Sequence, residues 1–275
     1  MLKTRIITAF VLLGVLLGAL FLLPPVGWLA FASLICAGAA WEWGGLARFT
    51  GARRLSFAVL MGAACFLLGA VAGLASDAPQ RPVGLFGFYG LSAAFWLAVV
   101  PFWLQRKWHL QGNAGGMLVG LIVLLPPALA MAHLRSVSPL LLLAVIAAVS
   151  IADISAYFTG RAFGRRKLAP EISPGKTWEG AGGAVAGVTV FGLVLALGSS
   201  LAIARTPLVA GLLPLLAGFT AVSIIGDLFE SLLKRQAGLK DSGTLLPGHG
   251  GILDRIDSLT STLPLVGLAA LWFAN

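Results

Sequence analysis

Apolar residues fill most of this chain in long runs, and short polar stretches separate the runs. A run of roughly 20 apolar residues can cross a bilayer as a helix. The pattern gives nine such segments, some of them shorter: Ile6–Leu23, Val26–Ala40, Leu55–Leu74, Leu85–Leu104, Met117–Ala132, Pro139–Tyr157, Gly180–Leu197, Leu208–Leu228 and Leu259–Phe273. We therefore predict an all-α fold, a polytopic membrane helix bundle with about nine transmembrane helices.

Basic residues in the loops predict how these helices are oriented. If the N-terminus is cytoplasmic, sixteen of the 19 Lys and Arg residues lie on the cytoplasmic side, and Arg81, Arg135 and Arg205 lie on the other. Cytoplasmic loops of membrane proteins are enriched in Lys and Arg. The distribution therefore predicts an N-in, C-out topology. It also explains the net charge of +9 without nucleic acid, because the same residues face anionic lipid headgroups.

The acidic residues divide the chain into two regions. Only 11% of the residues are charged, against roughly 25% in soluble domains. Residues 1–150 hold two of the ten acids, Glu42 and Asp77, both expected in loops; the other eight lie between Asp153 and Asp257. We expect 1–150 to be scaffold helices and 151–275 to be the catalytic region of one integrated membrane domain.

A stripe of polar residues follows the eighth apolar segment. Asp227, Glu230, Ser231 and Lys234 are spaced i, i+3, i+4 and i+7, so a helix carries all four on one face. Such a face is either an interfacial salt-bridge network or a set of ligands. The spacing alone leaves both interpretations open.

Two further acids, Asp254 and Asp257, precede the last apolar segment. Acids at this position can stabilise a helix N-terminus through its dipole, or they can face Asp227 as additional oxygen ligands. Hard cations such as Mg²⁺ prefer carboxylate oxygens. Zinc is disfavoured because the sequence has no cluster of Cys and His, and Cys36 and Cys65 lie in apolar runs.

Glycine-rich and basic stretches supply candidates for binding phosphate. Residues 240–251 contain Lys240, Asp241, His249, Gly250 and Gly251, and glycines allow backbone N–H groups to approach phosphate closely. Upstream, the stretch from Ser173 to Gly175 is predicted as a turn, followed by Lys176 and Thr177 at the start of a helix. Asp153 lies within an apolar segment, where an acid is a functional candidate by default.

Together these residues resemble the phosphatidate cytidylyltransferase family, also called CDP-diacylglycerol synthases. The family signature S-x-x-K-R-x4-K-D, a Gly/Pro loop and then H-G-G-x-x-D-R-x-D runs here from Ser231 to Asp257. The segment S-P-x-K-T-x-E-G runs from Ser173 to Gly180. The resemblance covers about residues 150–260.

The resemblance implies that phosphatidate and CTP react to give CDP-diacylglycerol and pyrophosphate, with Mg²⁺ and with a second cation left open. It implies catalytic roles for Asp227, Lys240, Asp241, His249, Asp254 and Asp257. It implies substrate binding by Ser173, Lys176, Thr177, Ser231, Lys234, Arg235, Gly250, Gly251 and Arg255. The expected metal ligands are Asp227 and Asp254, supported by Glu230 and Asp257.

The same resemblance implies a bacterial cytoplasmic (inner) membrane protein whose active site faces the cytoplasm. The expected partners are CTP, phosphatidate and membrane lipid, with no nucleic acid, and a homodimer is left open. Two other functions compete. A CTP-dependent polyprenol or phytol kinase would release CDP and leave a monophosphate on the lipid. An ion-coupled transporter would need paired polar residues in both halves, and residues 1–150 supply few.

Overall fold

The computed structural model describes residues 2–76, 82, 84–110, 112–198, 208–246, 248 and 250–273, without the side chains of 2–6 and 208–210. Within these residues the chain forms nine helices and one β-hairpin. The helices are α1 (Leu2–Leu22), α2 (Pro25–Leu46), α3 (Gly51–Val71), α4 (Leu85–Arg106), α5 (Gly112–Val137), α6 (Pro139–Phe163), α7 (Trp178–Gly198), α8 (Leu208–Ala237) and α9 (Leu253–Phe273). The strands are β1 (Lys167–Ala169) and β2 (Ser173–Thr177).

The predicted class of fold is confirmed. Among the described residues, eight helices are long and apolar enough to cross a membrane, and Ile7–Leu22 of α1 is a shorter apolar helix. Helix α5 contains Pro126 and Pro127, and α4 contains a π-helical segment, Phe95–Val99. Membrane helices tolerate such interruptions because neighbouring groups satisfy the freed backbone atoms.

Local predictions near the polar loops need correction. Helix α2 continues to Leu46, so Glu42 is buried in a helix and not, as expected, in a loop. The predicted turn from Ser173 to Gly175 is also wrong, because these residues belong to β2. Strands β1 and β2 pair antiparallel, with Lys167 opposite Thr177, so the reversal lies at residues 170–172.

The main core lies mostly among α2, α3, α4, α5, α8 and α9. Its largest fully buried side chains include Trp28, Trp43, Trp96, Tyr89 and Phe229. Two of the indoles donate hydrogen bonds to α5: Trp28 Nε1 to Met131 O at 3.2 Å and Trp43 Nε1 to Gly116 O at 2.9 Å. Buried N–H groups without such partners would cost stability, so these bonds help to fix how α2 packs on α5.

Loops from both halves of the chain meet at one end of the bundle. Arg48, after α2, donates to the carbonyl of Gln236 at 3.1 Å, and the Gln236 amide donates to the carbonyl of Lys107 at 3.1 Å. Lys107 also pairs with Glu171 between the two strands. The end of α2, the loop after α4, the hairpin and the end of α8 therefore share one face, as alternating spans require.

The orientation of this face in the membrane stays a prediction. Reporter domains inserted within Arg165–Lys167 should report the cytoplasm, and a reporter fused after Asn275 should report the outside, because most basic residues would then be cytoplasmic. A cytoplasmic reporter signal from the C-terminus would contradict the odd number of spans.

Candidate active site

A cleft of about 530 Å³ opens between α6, the hairpin, α7 and α8. Its polar and aromatic lining is Asp153, Tyr157, Arg161, Ser173, Lys176, Thr177 and Asp227. Across the cleft the Lys176 ammonium lies 2.5 Å from Asp227 Oδ2, and both side chains are 25% exposed. Two motifs that are separated by some 50 residues in sequence, on β2 and on α8, therefore meet in one cavity.

Local capping explains why Lys176 reaches the cleft. Thr177 Oγ1 accepts the backbone N–H of Gly180 at 3.1 Å, so Thr177 caps the N-terminus of α7. Such a cap typically contributes about 1 kcal/mol. Glu179 accepts the N–H groups of Arg165 and Arg166 at 3.0 and 3.2 Å and so fixes the connection between α6 and β1. Lys176 is thereby placed on the cleft wall.

The polar stripe on α8 connects the cleft to α9. Ser231 Oγ donates to Asp227 Oδ1 at 3.2 Å. One turn further, the Lys234 ammonium lies 3.1 Å from Glu230 Oε1 and 2.7 Å from Asp254 Oδ1. The stripe is thus both a salt-bridge face and a row of candidate ligands, and the two interpretations of its spacing do not exclude each other.

Asp254 joins the glycine-rich loop to the first turn of α9. Its Oδ2 accepts the backbone N–H groups of Ser242 at 2.9 Å and Gly251 at 2.8 Å. Gly250 has a φ of +82° and a Cβ there would lie 2.8 Å from Asp254 Oδ2, so a side chain at this position is strained and obstructed. The carboxylate therefore holds the loop closed against the helix.

Five carboxylates form one electrostatic group at this end of the bundle. Asp227 is near enough to Asp153 and Asp257 for the carboxylates to repel one another, and Glu230 is likewise near enough to Asp254 and Asp257. The candidate metal ligands in this group are carboxylate oxygens, which Mg²⁺ prefers. In the part of the chain that the structure describes, no three Asp, Glu, His or Cys side chains are grouped closely enough to hold a metal alone. Mg²⁺ often takes one or two carboxylates and completes its shell with substrate phosphate, which fits this group.

The remaining sequence-predicted residues that the structure describes lie outside the lining of the cleft. Gly250 and Gly251 are beside Asp254 in the loop. Arg235, Lys240, Asp241 and Arg255 are exposed and do not line the cleft. His249 lies outside the described residues. The roles expected for these five side chains and two glycines stay predictions.

Sequence reasoning missed two contributors. Arg161, one of the sixteen basic residues counted on the cytoplasmic side, lines the cleft and donates to Tyr157 OH at 3.0 Å. Glu42 was assigned to a loop, although an acid in an apolar run is a functional candidate. Its neighbours Trp41 and Trp43 are of a residue type that is enriched at membrane–water interfaces, which favours a loop position for Glu42 in the sequence.

Comparisons with known proteins show the family to which the chain belongs. The Cytidylyltransferase family model matches residues 3–273. A phosphatidate cytidylyltransferase of Pseudomonas aeruginosa is 41% identical over 288 residues, covering 100% of this chain and 98% of that protein. One of Haemophilus influenzae is 34% identical over 278 residues, covering 96% of each. One of Bacillus subtilis is 49% identical over 115 residues, covering 42% of this chain and 41% of that protein. The chain belongs to the cytidylyltransferase family.

Proposed function

We propose that this chain transfers the cytidylyl group of CTP to phosphatidate and releases CDP-diacylglycerol and pyrophosphate. The observation that carries the proposal is the cleft in which the Lys176 ammonium meets the Asp227 carboxylate at 2.5 Å. Full-length similarity to proteins named phosphatidate cytidylyltransferase supports the same reaction.

The lining of the cleft suits an amphipathic substrate, with a charged phosphate and an apolar lipid part. Lys176 and Arg161 supply positive charge, whereas Ala152, Ala156 and Ile224 supply an apolar wall. Outside the cleft, α6 exposes Phe158, which in a membrane would face the acyl chains. A phosphatidate headgroup could therefore reach the ionisable groups while its chains stay in lipid.

The reaction requires that the two substrates are positioned and that their negative charge is neutralised. An oxygen of the phosphatidate phosphate attacks the α-phosphorus of CTP, and the bond to the β-phosphate breaks as pyrophosphate leaves. Since the attacking oxygen already carries negative charge, no strong base is needed. Lys176 and Lys234 would bind phosphate oxygens and offset repulsion between the two anionic substrates.

The carboxylates would hold the metal. We assign Asp227 and Asp254 as ligands of Mg²⁺, with Glu230 and Asp257 as supporting acids. The bound cation would neutralise charge on the phosphates. In the structure Asp227 and Asp254 each contact a lysine ammonium, so positive charge already lies beside both carboxylates. A site that faces the cytoplasm in the bacterial inner membrane is part of the proposal.

Identification of the product tests this proposal. Purified protein in detergent, incubated with phosphatidate, CTP and Mg²⁺, should form CDP-diacylglycerol in the extracted lipid. Phytol or a polyprenol offered in place of phosphatidate should give no lipid phosphate. Phosphorylation of the alcohol together with CDP release would instead identify a kinase.

A further inference from the structure

A carboxylate from the N-terminal half of the chain reaches into the glycine-rich loop. Glu42 is on α2, and its side chain is fully buried, with 0% exposed. Its hydrogen-bond partners lie 200 to 211 residues further along the sequence. Oε2 accepts Ser242 Oγ at 3.0 Å and the backbone N–H of Leu253 at 2.8 Å, and Oε1 accepts the N–H of Ile252 at 3.0 Å.

These bonds cap α9 from outside its own chain segment. Leu253 is the first residue of α9, and the first N–H groups of a helix lack partners within the helix. A negative charge at a helix N-terminus is also favoured by the helix dipole. Glu42 therefore satisfies backbone donors that the loop before α9 would otherwise leave buried and unpaired.

Two glycines allow the loop to close around this carboxylate. A Cβ on Gly243 would lie 2.5 Å from Glu42 Oε1, and a Cβ on Gly251 would lie 2.2 Å from Oε2. Either methyl group would collide with the carboxylate. Gly251, a candidate for binding phosphate in the sequence, thus also packs against Glu42. The loop can close around the carboxylate only because positions 243 and 251 carry no side chain.

The same contacts lead to the active-site acid. The backbone N–H of Ser242 donates to Asp254 while its hydroxyl donates to Glu42. Gly251, packed against Glu42, donates its N–H to Asp254. Asp254 in turn contacts Lys234 on α8. The direction in which the Asp254 carboxylate points thus depends on backbone that Glu42 holds.

We propose that Glu42 is a positioning residue for cytidylyl transfer, acting through Ser242 and residues 251–253 to orient Asp254. The inference rests on the proposed function of Asp254 as a metal ligand. Glu42 does not line the cleft. It acts on Asp254 through hydrogen-bonded backbone and not through the substrate, as partners of metal ligands commonly do. Loss of such partners typically costs roughly 10- to 100-fold in metal affinity or activity.

The test compares Glu42→Gln with the wild-type protein. The amide keeps the shape but offers one acceptor oxygen where the carboxylate offers two. We expect the Mg²⁺ concentration for half-maximal activity and the KM for CTP to rise roughly tenfold. Glu42→Asp, which keeps the charge, should recover part of this loss. As a readout without turnover, Mg²⁺ with CTP should raise the melting temperature of the wild-type protein more than that of Glu42→Gln.

A matched control separates positioning from folding. Glu171→Gln removes an exposed carboxylate, 74% exposed in its pair with Lys107, and should leave Mg²⁺ dependence and KM unchanged. A purely structural role for Glu42 would lower the amount of active protein without raising KM. Unchanged Mg²⁺ dependence and KM in folded Glu42→Gln would therefore overturn the inference.

A second variant decides the question if Glu42→Gln does not fold. Ser242→Ala removes one hydrogen bond to Glu42 and keeps the backbone donor to Asp254. We expect a several-fold rise in half-activating Mg²⁺, and wild-type values would overturn the inference. Absence of CDP-diacylglycerol from the wild-type protein would contradict the proposed function instead, so the two failures are distinguishable.

Discussion

The Asp227→Asn variant should form CDP-diacylglycerol roughly 10²- to 10³-fold more slowly than the wild-type protein, a loss typical of removing one strong electrostatic contact from an active site. Asn keeps the size of the side chain and can still accept from Ser231 Oγ, which lies 3.2 Å from Oδ1. It removes the charge that pairs with Lys176 at 2.5 Å. The measurement is kcat/KM for CTP at saturating Mg²⁺, with expression and monodispersity checked in the same detergent.

Two further substitutions define what the result means. Asp254→Asn should be similarly damaging, because Asp254 is the second proposed metal ligand and also binds the N–H groups of Ser242 and Gly251. Glu171→Gln, at an exposed acid outside the cleft, should retain wild-type activity. Near-normal turnover of Asp254→Asn at saturating Mg²⁺ would contradict the metal assignment.

Lys176→Arg should lower kcat/KM for CTP roughly 10- to 100-fold although it preserves the positive charge, since displacement of a positioning group by about 1 Å can cost about 10²-fold. Lys176 belongs to β2 and its ammonium contacts Asp227 at 2.5 Å. The ammonium is a compact donor that a planar, longer guanidinium does not replace. Lys240, which is exposed and outside the cleft, should show a smaller loss on the same substitution.

The matched control is Arg166→Lys. The Arg166 side chain is exposed, and its contacts to Glu179 and Trp178 are made by backbone atoms that the substitution leaves in place. Its contribution should be that of a charge near anionic lipid, about 1 kcal/mol and sensitive to salt. Equal activity of Lys176→Arg and Arg166→Lys would show that Lys176 belongs to a charged surface and binds no particular phosphate oxygen.

The sequence predicted the helices well because a bilayer imposes one simple rule. Every apolar run long enough to cross must become a helix, so the segments near 85–104 and 180–197 correspond closely to α4 and α7. The stripe from Asp227 to Lys234 was equally accessible, because the spacing of four residues on one helix determines their common face.

Contacts between distant segments could not be predicted in this way. Nothing near Glu42 in the sequence indicates that its partners are Ser242 and Leu253. The hairpin was missed for a related reason: Ser173, Pro174 and Gly175 favour a turn locally, whereas pairing with β1 extends them. In both cases tertiary contacts determine the local structure, and the pattern of residues in a single sequence does not show which distant segments are in contact.

The central claim is tested most directly by identifying which phosphate of CTP is transferred to the lipid. Purified protein is given phosphatidate and Mg²⁺ with CTP labelled with ³²P at either the α- or the γ-phosphate, and Asp227→Asn is run beside it. Cytidylyl transfer moves the α-phosphate, so we predict label in extracted lipid from α-labelled CTP alone, and little from Asp227→Asn. Label in lipid from γ-labelled CTP alone would show a kinase and contradict the account.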